Sequence, residues 1–197
     1  MPWGDAVIFA GGRSSRMGKD KALLPFGGYD TLAEYQYRRL LPLFERVWLS
    51  AKEDKFPFDA PLIPDRYPES SPLVALAAAL ERAAHPWVFV LSVDMPQVDA
   101  PLIERLHAAA HGDPQARAVI ARSPRGAEPL CGLYHRDLLP SVHAQLEEGE
   151  HRMQGLLCAH PTLEIPCERE AVFANLNTPE EYARLLTRSH PGDPHAH

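Results

Sequence analysis

The sequence predicts a three-layer α/β domain built on a mostly parallel sheet, and three observations carry that reading. Apolar runs of strand length alternate with longer segments of helical period, the pattern of β-α-β units. The run Pro86-Trp87-Val88-Phe89-Val90-Leu91-Ser92-Val93 is nearly all apolar, as in a central strand covered on both faces. The chain has 197 residues, 45% of them hydrophobic and 23% charged, enough for one large domain with a substantial core.

The elements follow in order. Ala6 to Ala10 is short, β-rich and ends at a glycine pair, which makes it the first strand. Asp30 to Leu41 reads as a helix capped by Asp30 or Thr31, with Leu32, Tyr35, Leu40 and Leu41 on one face. Arg46 to Ser50 and Pro61 to Pro64 are the next strands. Pro72 suits a first helical turn, so Leu73 to Ala84 is expected to be a helix. After the Pro86 to Val93 strand comes a helix from Pro101 to Ala110. Arg117 to Arg122 and Leu130 to Tyr134 read as strands, Arg136 to Glu148 as a helix around Pro140, and Met153 to Ala159 as a short helix. Leu163 to Ile165 and Val172 to Leu176 are further strand candidates. Pro179 to Leu186 closes as a helix, with Thr178 and Glu181 at capping-box spacing. No linker divides the chain, so residues 1–188 are expected to form one domain, with 189–197 as a flexible Pro/Gly/His-rich tail.

Composition excludes several classes. Net charge is −6, so the surface is no general lure for nucleic acid or anionic membrane. The longest apolar run, Leu73 to Leu80, falls far short of the ~20 residues that span a bilayer. The start, Met1-Pro2-Trp3-Gly4-Asp5, has no basic n-region of a secretory signal. Cys131, Cys158 and Cys167 are odd in number and lack CxxC spacing, which fits neither a disulfide framework nor a zinc site. These features predict a cytoplasmic protein. Lysine is scarce, four against 16 arginines, and Lys19 and Lys21 fall two positions apart near the start.

In open α/β sheets the ligand sits beyond the carboxyl ends of the strands, so the loops there matter most. The first of them, Phe9-Ala10-Gly11-Gly12-Arg13-Ser14-Ser15-Arg16-Met17-Gly18-Lys19-Asp20-Lys21, joins three glycines to two serines and four cations. Glycines let backbone N–H groups turn toward an anion, and arginine and lysine supply matching charge, a combination that suits a triphosphate. It is not a Walker loop: five residues rather than four separate Gly12 from Gly18-Lys19, and Asp20 stands where Ser or Thr is required. Nor does it space as GxGxxG. The plain alternative is a glycine-rich surface loop with scattered charge. Asp94 follows the most buried strand, where a carboxylate can hold Mg²⁺ beside a triphosphate. A turn-former or helix cap is the alternative there. Asp65, after the third strand, says little by itself.

Taken together, these pieces resemble a known family. The stretch from Ile8 to Leu24 resembles the signature loop of nucleotidyltransferases with the Rossmann-like glycosyltransferase-A type α/β/α fold. Over residues 5 to 188 the chain is similar to the molybdenum cofactor guanylyltransferase family. The resemblance runs through Ala10-Gly11-Gly12, Arg16-Met17-Gly18, Asp20-Lys21, Asp65, Ser71-Pro72-Leu73, Asp94-Met95-Pro96, Glu128-Pro129-Leu130 and Phe173-Ala174-Asn175-Leu176-Asn177-Thr178-Pro179-Glu180. The Ala-Gly-Gly turn and the late Asn-Leu-Asn-Thr-Pro-Glu stretch mark the guanylyl branch over its cytidylyl relatives. The chain departs at Ser71-Pro72-Leu73-Val74-Ala75, where the family has Gly-Pro-Leu and then Ala-Gly. It departs again at Ala51-Lys52-Glu53, where the family has an asparagine.

The resemblance implies transfer of GMP from GTP to the terminal phosphate of molybdopterin with release of pyrophosphate. It implies that Phe9, Ala10, Gly11, Gly12, Lys21, Asp65 and Asp94 bind the nucleotide, and that Lys21, Arg16 and Asp94 carry catalysis. Asp94 would bind Mg²⁺. The second half, from about Ala118 to Asn177, would take the acceptor, with Arg122, Arg125 and Arg152 as candidate anchors for an anion. No nucleic acid or membrane partner is implied, only GTP, molybdopterin and transient contacts with other proteins of cofactor biosynthesis or acceptor proteins. Transfer to another phosphorylated acceptor, such as a sugar phosphate, is the alternative within the class. A non-catalytic nucleotide-binding module is the alternative outside it.

Overall fold

The computed structural model describes residues 2–11, 20–64, 71–174, 176 and 178–188. Its strands are β1 (Trp3–Phe9), β2 (Phe44–Ala51), β3 (Leu62–Pro64), β4 (Trp87–Ser92), β5 (Ala118–Ser123), β6 (Gly126–His135) and β7 (Thr162–Pro166). Its helices are α1 (Leu32–Leu40), α2 (Pro72–Arg82), α3 (Ala100–Gly112), α4 (Leu139–Glu147), α5 (Met153–Ala159) and α6 (Pro179–Arg188). The strands form one sheet in the order β3-β2-β1-β4-β6-β5-β7. Every neighbouring pair is parallel except the two made by β6, which runs antiparallel to β4 and β5. The expected mostly parallel α/β sheet is therefore present, with one reversed strand.

Side-chain alternation along the strands builds two cores. Ala6 and Ile8 of β1, with Phe89 and Leu91 of β4, face the layer of α1 and α3. Val7 and Phe9, with Val88 and Val90, face the layer of α2, α4 and α5. Both faces of β1 and β4 are covered, which is why those segments read as continuous apolar runs. In α2 every residue from Leu73 to Leu80 is buried, and its alanines let the helix lie close on the sheet. Each fully buried leucine there contributes roughly 1.5–3 kcal/mol.

Capping explains where the helices begin. Thr31 accepts from Glu34 N at 3.1 Å, Ser71 from Val74 N at 3.2 Å and Asp99 from Leu102 N at 3.2 Å. Arg169 donates to the Asp99 carboxylate and holds it below the usual carboxylate range. At the amino end of β1 the Asp5 side chain is fully buried. It accepts from Arg46 Nε at 2.8 Å and Nη2 at 3.1 Å, and from the Ala84 and His85 amides at 2.8 and 3.0 Å. That carboxylate fastens β1 to β2 and to the exit from α2. No helix among the described residues is long and apolar enough to cross a membrane.

Three expectations need correction. Val172 to Leu176 is not a strand, because Glu170–Phe173 forms a 3-10 turn. Val172 and Phe173 both enter the same core, which adjacent residues of a strand cannot do. The strand expected at Leu130 to Tyr134 begins at Gly126, since β5 and β6 form a hairpin whose register shifts between Ile120 and Ala121. The buried face of α1 is Leu32, Ala33, Gln36, Tyr37 and Leu40, while Leu41 is exposed.

His107 of α3 makes one property of the fold testable. Its ring stacks on Trp3 at 4.5 Å and tilts against Phe44 at 5.7 Å, and neither ring nitrogen has a hydrogen-bond partner. Burial, aided by neighbouring His111, lowers its pKa to about 4. In the unfolded chain it titrates near 6.5, so between about pH 6.5 and 4 the unfolded state binds the extra proton. Stability is complete above that window and falls as pH drops through it, by on the order of 2–3 kcal/mol. His107→Phe keeps the stacking and is expected to flatten that acid slope in urea melts at pH 7 and pH 4.5. Equal slopes in the two proteins would contradict the assignment.

Candidate active site

The site lies beyond the carboxyl ends of β2, β1 and β4, which local hydrogen bonds hold together. Ala10 N donates to Ser50 O at 2.9 Å, and Val93 N donates to Phe9 O at 3.0 Å. Phe9 and Ala10 are buried here and Gly11 is exposed, so the chain leaves the sheet at Gly11. It is described again at Asp20, whose Oδ1 accepts from Ala22 N at 3.0 Å and caps a 3-10 turn over Lys21–Leu23. That turn presents Lys21, whose Nζ donates to Asp94 Oδ2 at 3.5 Å. Both side chains are about one-fifth exposed, 18% and 20%, open enough to meet a ligand.

Asp94 is held from several sides. Ser92 Oγ donates to its Oδ1 at 2.7 Å, and Leu176 N donates to its backbone carbonyl at 3.2 Å. Below it, Gln36 is fully buried, and its amide Nε2 donates to Ser92 O at 3.4 Å and Val93 O at 3.2 Å. Gln36 Oε1 in turn accepts from Arg39 Nε at 2.6 Å. Burial pushes the Arg39 guanidinium below its ordinary pKa, although the group also lies over the Tyr35 ring at 5.7 Å. The end of β4 is therefore tied to α1 through the buried Gln36, whose amide oxygen is held by the half-buried Arg39.

Of the residues expected in the site, Phe9, Ala10, Gly11, Lys21 and Asp94 fall at these adjoining strand ends. Gly12, Arg16 and Asp65 lie outside the described residues. Lys55, Gln36 and Ser92 were not anticipated. Lys55 donates to Ala10 O at 3.1 Å and pairs with Asp20 Oδ2. The signal that could have found it is the scarcity of lysine, since all four lysines fall between positions 19 and 55, although the hint drawn from it concerned only Lys19 and Lys21. The candidate anion anchors do not converge. Arg122 pairs with Glu164, Arg125 pairs with Glu170, and Arg152 is exposed at the start of α5. A further contact between the two halves of the chain places Ser71 Oγ 3.2 Å from His151 Nδ1. A groove of about 420 Å³, lined by Trp3, His85, Trp87 and His107 among others, opens at the amino ends of β1 and β4, opposite the site.

The donor set near Asp94 fits a Mg²⁺ ion. Its carboxylate is a hard oxygen donor, partly exposed, with Oδ1 oriented by a single hydroxyl. Among the described residues no group of three or more His, Cys, Asp or Glu could hold a metal alone. Mg²⁺ ordinarily takes one or two carboxylates and completes its shell with substrate phosphates and water, so a lone acid beside a phosphate site suffices.

Comparison with known proteins adds an independent line. The MobA-like NTP transferase domain matches residues 6–163. The molybdenum cofactor guanylyltransferase of Campylobacter jejuni subsp. doylei is 36% identical over 183 residues, 92% of this chain and 94% of that protein. The protein of the same name from Helicobacter pylori is 32% identical over 182 residues, 89% of this chain and 88% of the other. Among solved structures, molybdopterin-guanine dinucleotide biosynthesis protein A from Archaeoglobus fulgidus has the same fold. It superposes with a TM-score of 0.81 at 20% identity, over 93% of this chain and 97% of that one.

Proposed function

The chain belongs to the MobA-like NTP transferase family and is a nucleotidyltransferase, and we propose that it transfers GMP from GTP to the terminal phosphate of molybdopterin. The observation that carries this reading is the facing pair Lys21 and Asp94, the first on the 3-10 turn capped by Asp20 and the second just past β4 at the carboxyl edge of the sheet. A cation and a metal-binding acid side by side suit phosphoryl chemistry on a triphosphate, and a passive nucleotide sensor has little need of both.

In the proposed reaction an oxygen of the acceptor phosphate attacks the α-phosphorus of GTP in line. The new P–O bond forms as the bond to the β-phosphate breaks, and pyrophosphate leaves with the electron pair. A phosphate monoester is largely dianionic near pH 7, so the nucleophile needs no general base. Phe9, Ala10, Gly11, Gly12 and Asp65 would shape the nucleotide pocket, while Lys21 and Arg16 would meet the negative charge of the transferring group. Asp94 would hold Mg²⁺, which when bound supplies charge neutralisation for the phosphates. Positioning and electrostatics then account for catalysis. On this reading residues 1–188 act as one domain, the first half binding nucleotide and the second the acceptor. Free GTP and molybdopterin as substrates suit a cytoplasmic setting with transient contacts to neighbouring enzymes of cofactor biosynthesis.

Incubation with each labelled nucleoside triphosphate, Mg²⁺ and molybdopterin, followed by product identification, tests the reaction. The expected products are a guanine dinucleotide and pyrophosphate. Base preference is a separate prediction. On the strength of Ala10-Gly11-Gly12, a glycine would lie beside the base and leave room for a purine, and backbone groups can pair the donor and acceptor edge of guanine. A site whose buried polar groups go unpaired by the wrong ligand can reject it by up to ~10⁴-fold. Calorimetric titration in Mg²⁺ is expected to rank GTP above ATP, CTP and UTP. CTP binding as tightly as GTP would overturn the guanylyl assignment and leave nucleotidyl transfer standing.

A further inference from the structure

We propose that Lys55, in the turn after β2, is a positioning residue that clasps the two ends of the glycine-rich loop and thereby sets Lys21 opposite Asp94; this rests on the nucleotidyl-transfer reading. The loop leaves the sheet after Ala10 and is rejoined at Asp20. Lys55 touches both ends, with its ammonium donating to Ala10 O at 3.1 Å and to Asp20 Oδ2. The other oxygen of Asp20 caps the 3-10 turn that begins with Lys21. One cation therefore fixes a strand end, a cap and, through the cap, the lysine that faces Asp94.

This arrangement differs from an ordinary surface ion pair, which is commonly worth little. The Lys55 and Asp20 side chains are only 19% and 29% exposed, and the Lys55 ammonium also lies 5.6 Å from the centre of the Phe56 ring. One partner is a backbone carbonyl at the end of a fully covered strand, so the clasp has a rigid anchor. An ammonium has three donors and no acceptor, and two of its protons are used here across a loop closure. Without that tie, holding Asp20 and Lys21 in place falls to the nucleotide's own binding energy. A misplacement of Lys21 by about 1 Å can cost ~10²-fold in rate.

The test compares Lys55→Met, Lys55→Arg, Asp20→Asn and the double variant Asp20→Asn/Lys55→Met in the full chain. Asparagine at position 20 keeps the cap oxygen and removes the ion pair. The proposal expects Lys55→Met to lower kcat/KM for GTP by about 10- to 100-fold with a melting temperature little changed. Lys55→Arg, whose fork can reach both acceptors, should recover most of the loss. Asp20→Asn should lose a similar factor, and the double variant should lose no more than the worse single one. Backbone amide exchange over residues 20–24, measured without nucleotide, should quicken in Lys55→Met. Activity within twofold of the parent, losses that multiply in the double variant, or unchanged exchange would each overturn it. If the parent transfers no nucleotide at all, the proposed function fails, and amide exchange alone decides the clasp.

Discussion

Asp94→Ala is expected to reduce nucleotidyl transfer by at least about 10³-fold while the protein stays folded. The carboxylate projects just past β4, the middle strand of the seven, where the parallel strands meet antiparallel β6. The contacts it would lose are a 2.7 Å bond from Ser92 Oγ and the 3.5 Å contact with Lys21, both partly exposed. The bond from Leu176 N reaches the backbone carbonyl of Asp94 and survives the change, as do the Gln36 bonds beneath it. The melting temperature should therefore stay within about 4 °C of the parent. Catalysis is expected to lack such a reserve, because among the described residues no group of three or more His, Cys, Asp or Glu could hold the metal in its place. Removing the carboxylate takes away the protein's hold on Mg²⁺ and leaves the triphosphate charge opposed by cations alone. Asp94→Asn is the companion variant: it keeps the shape and the Ser92 bond and loses the negative charge, so it should be nearly as slow. Near-normal Mg²⁺-dependent turnover in either variant would end the metal-ligand assignment.

The parts of this molecule legible in its sequence are those set by local rules. Covered strands such as β1 and β4 announce themselves as unbroken apolar runs, and caps at Thr31, Ser71 and Thr178 mark helix starts within a residue or two. Asp94 is visible by the same kind of rule, as an acid just past the most buried strand, whereas Lys21 is singled out by the resemblance of its loop and lies well beyond the end of β1. What stayed hidden depends on distant partners. Gln36 meets Val93 across 57 positions and Lys55 meets Asp20 across 35, and no window of sequence contains both members of either pair. Gln36 could have been found, since it sits four residues from both Leu32 and Leu40 on the buried stripe. Choosing Tyr35 and Leu41 for that stripe rotated the face and put a glutamine where solvent was expected. The start of β6 was obscured by its composition: Gly126 to Leu130 is only partly buried, carries a proline, and faces a register shift. Val172 and Phe173 look like a strand because both are apolar and β-prone, yet they plug the core from a 3-10 turn.

Lys21→Ala is expected to lower kcat by about 10²- to 10³-fold, the scale for losing one preorganised charge donor to a transition state. The turn that carries Lys21 has only three residues, too short to hold itself, and depends on the Asp20 cap and on Leu32 N donating to Leu24 O at 2.6 Å just beyond it. Such fixing places the ammonium before substrate arrives, which is what makes its charge effective at the moment of reaction. Its contact with Asp94 is long at 3.5 Å, so an incoming phosphoryl oxygen can displace it at small cost. Lys21→Arg should rescue poorly, because a planar fork does not replace a compact ammonium wedged between a carboxylate and a phosphoryl oxygen. The fold should tolerate both changes, since the side chain lies at the rim of the sheet and is part-exposed. Steady-state kinetics with saturating acceptor separate the two roles the residue could play. A fall in kcat at nearly constant KM for GTP places the charge in the transition state. A rise in KM with kcat preserved would mean that Lys21 binds ground state and transition state alike, and the catalytic role would pass to the other cations of the loop.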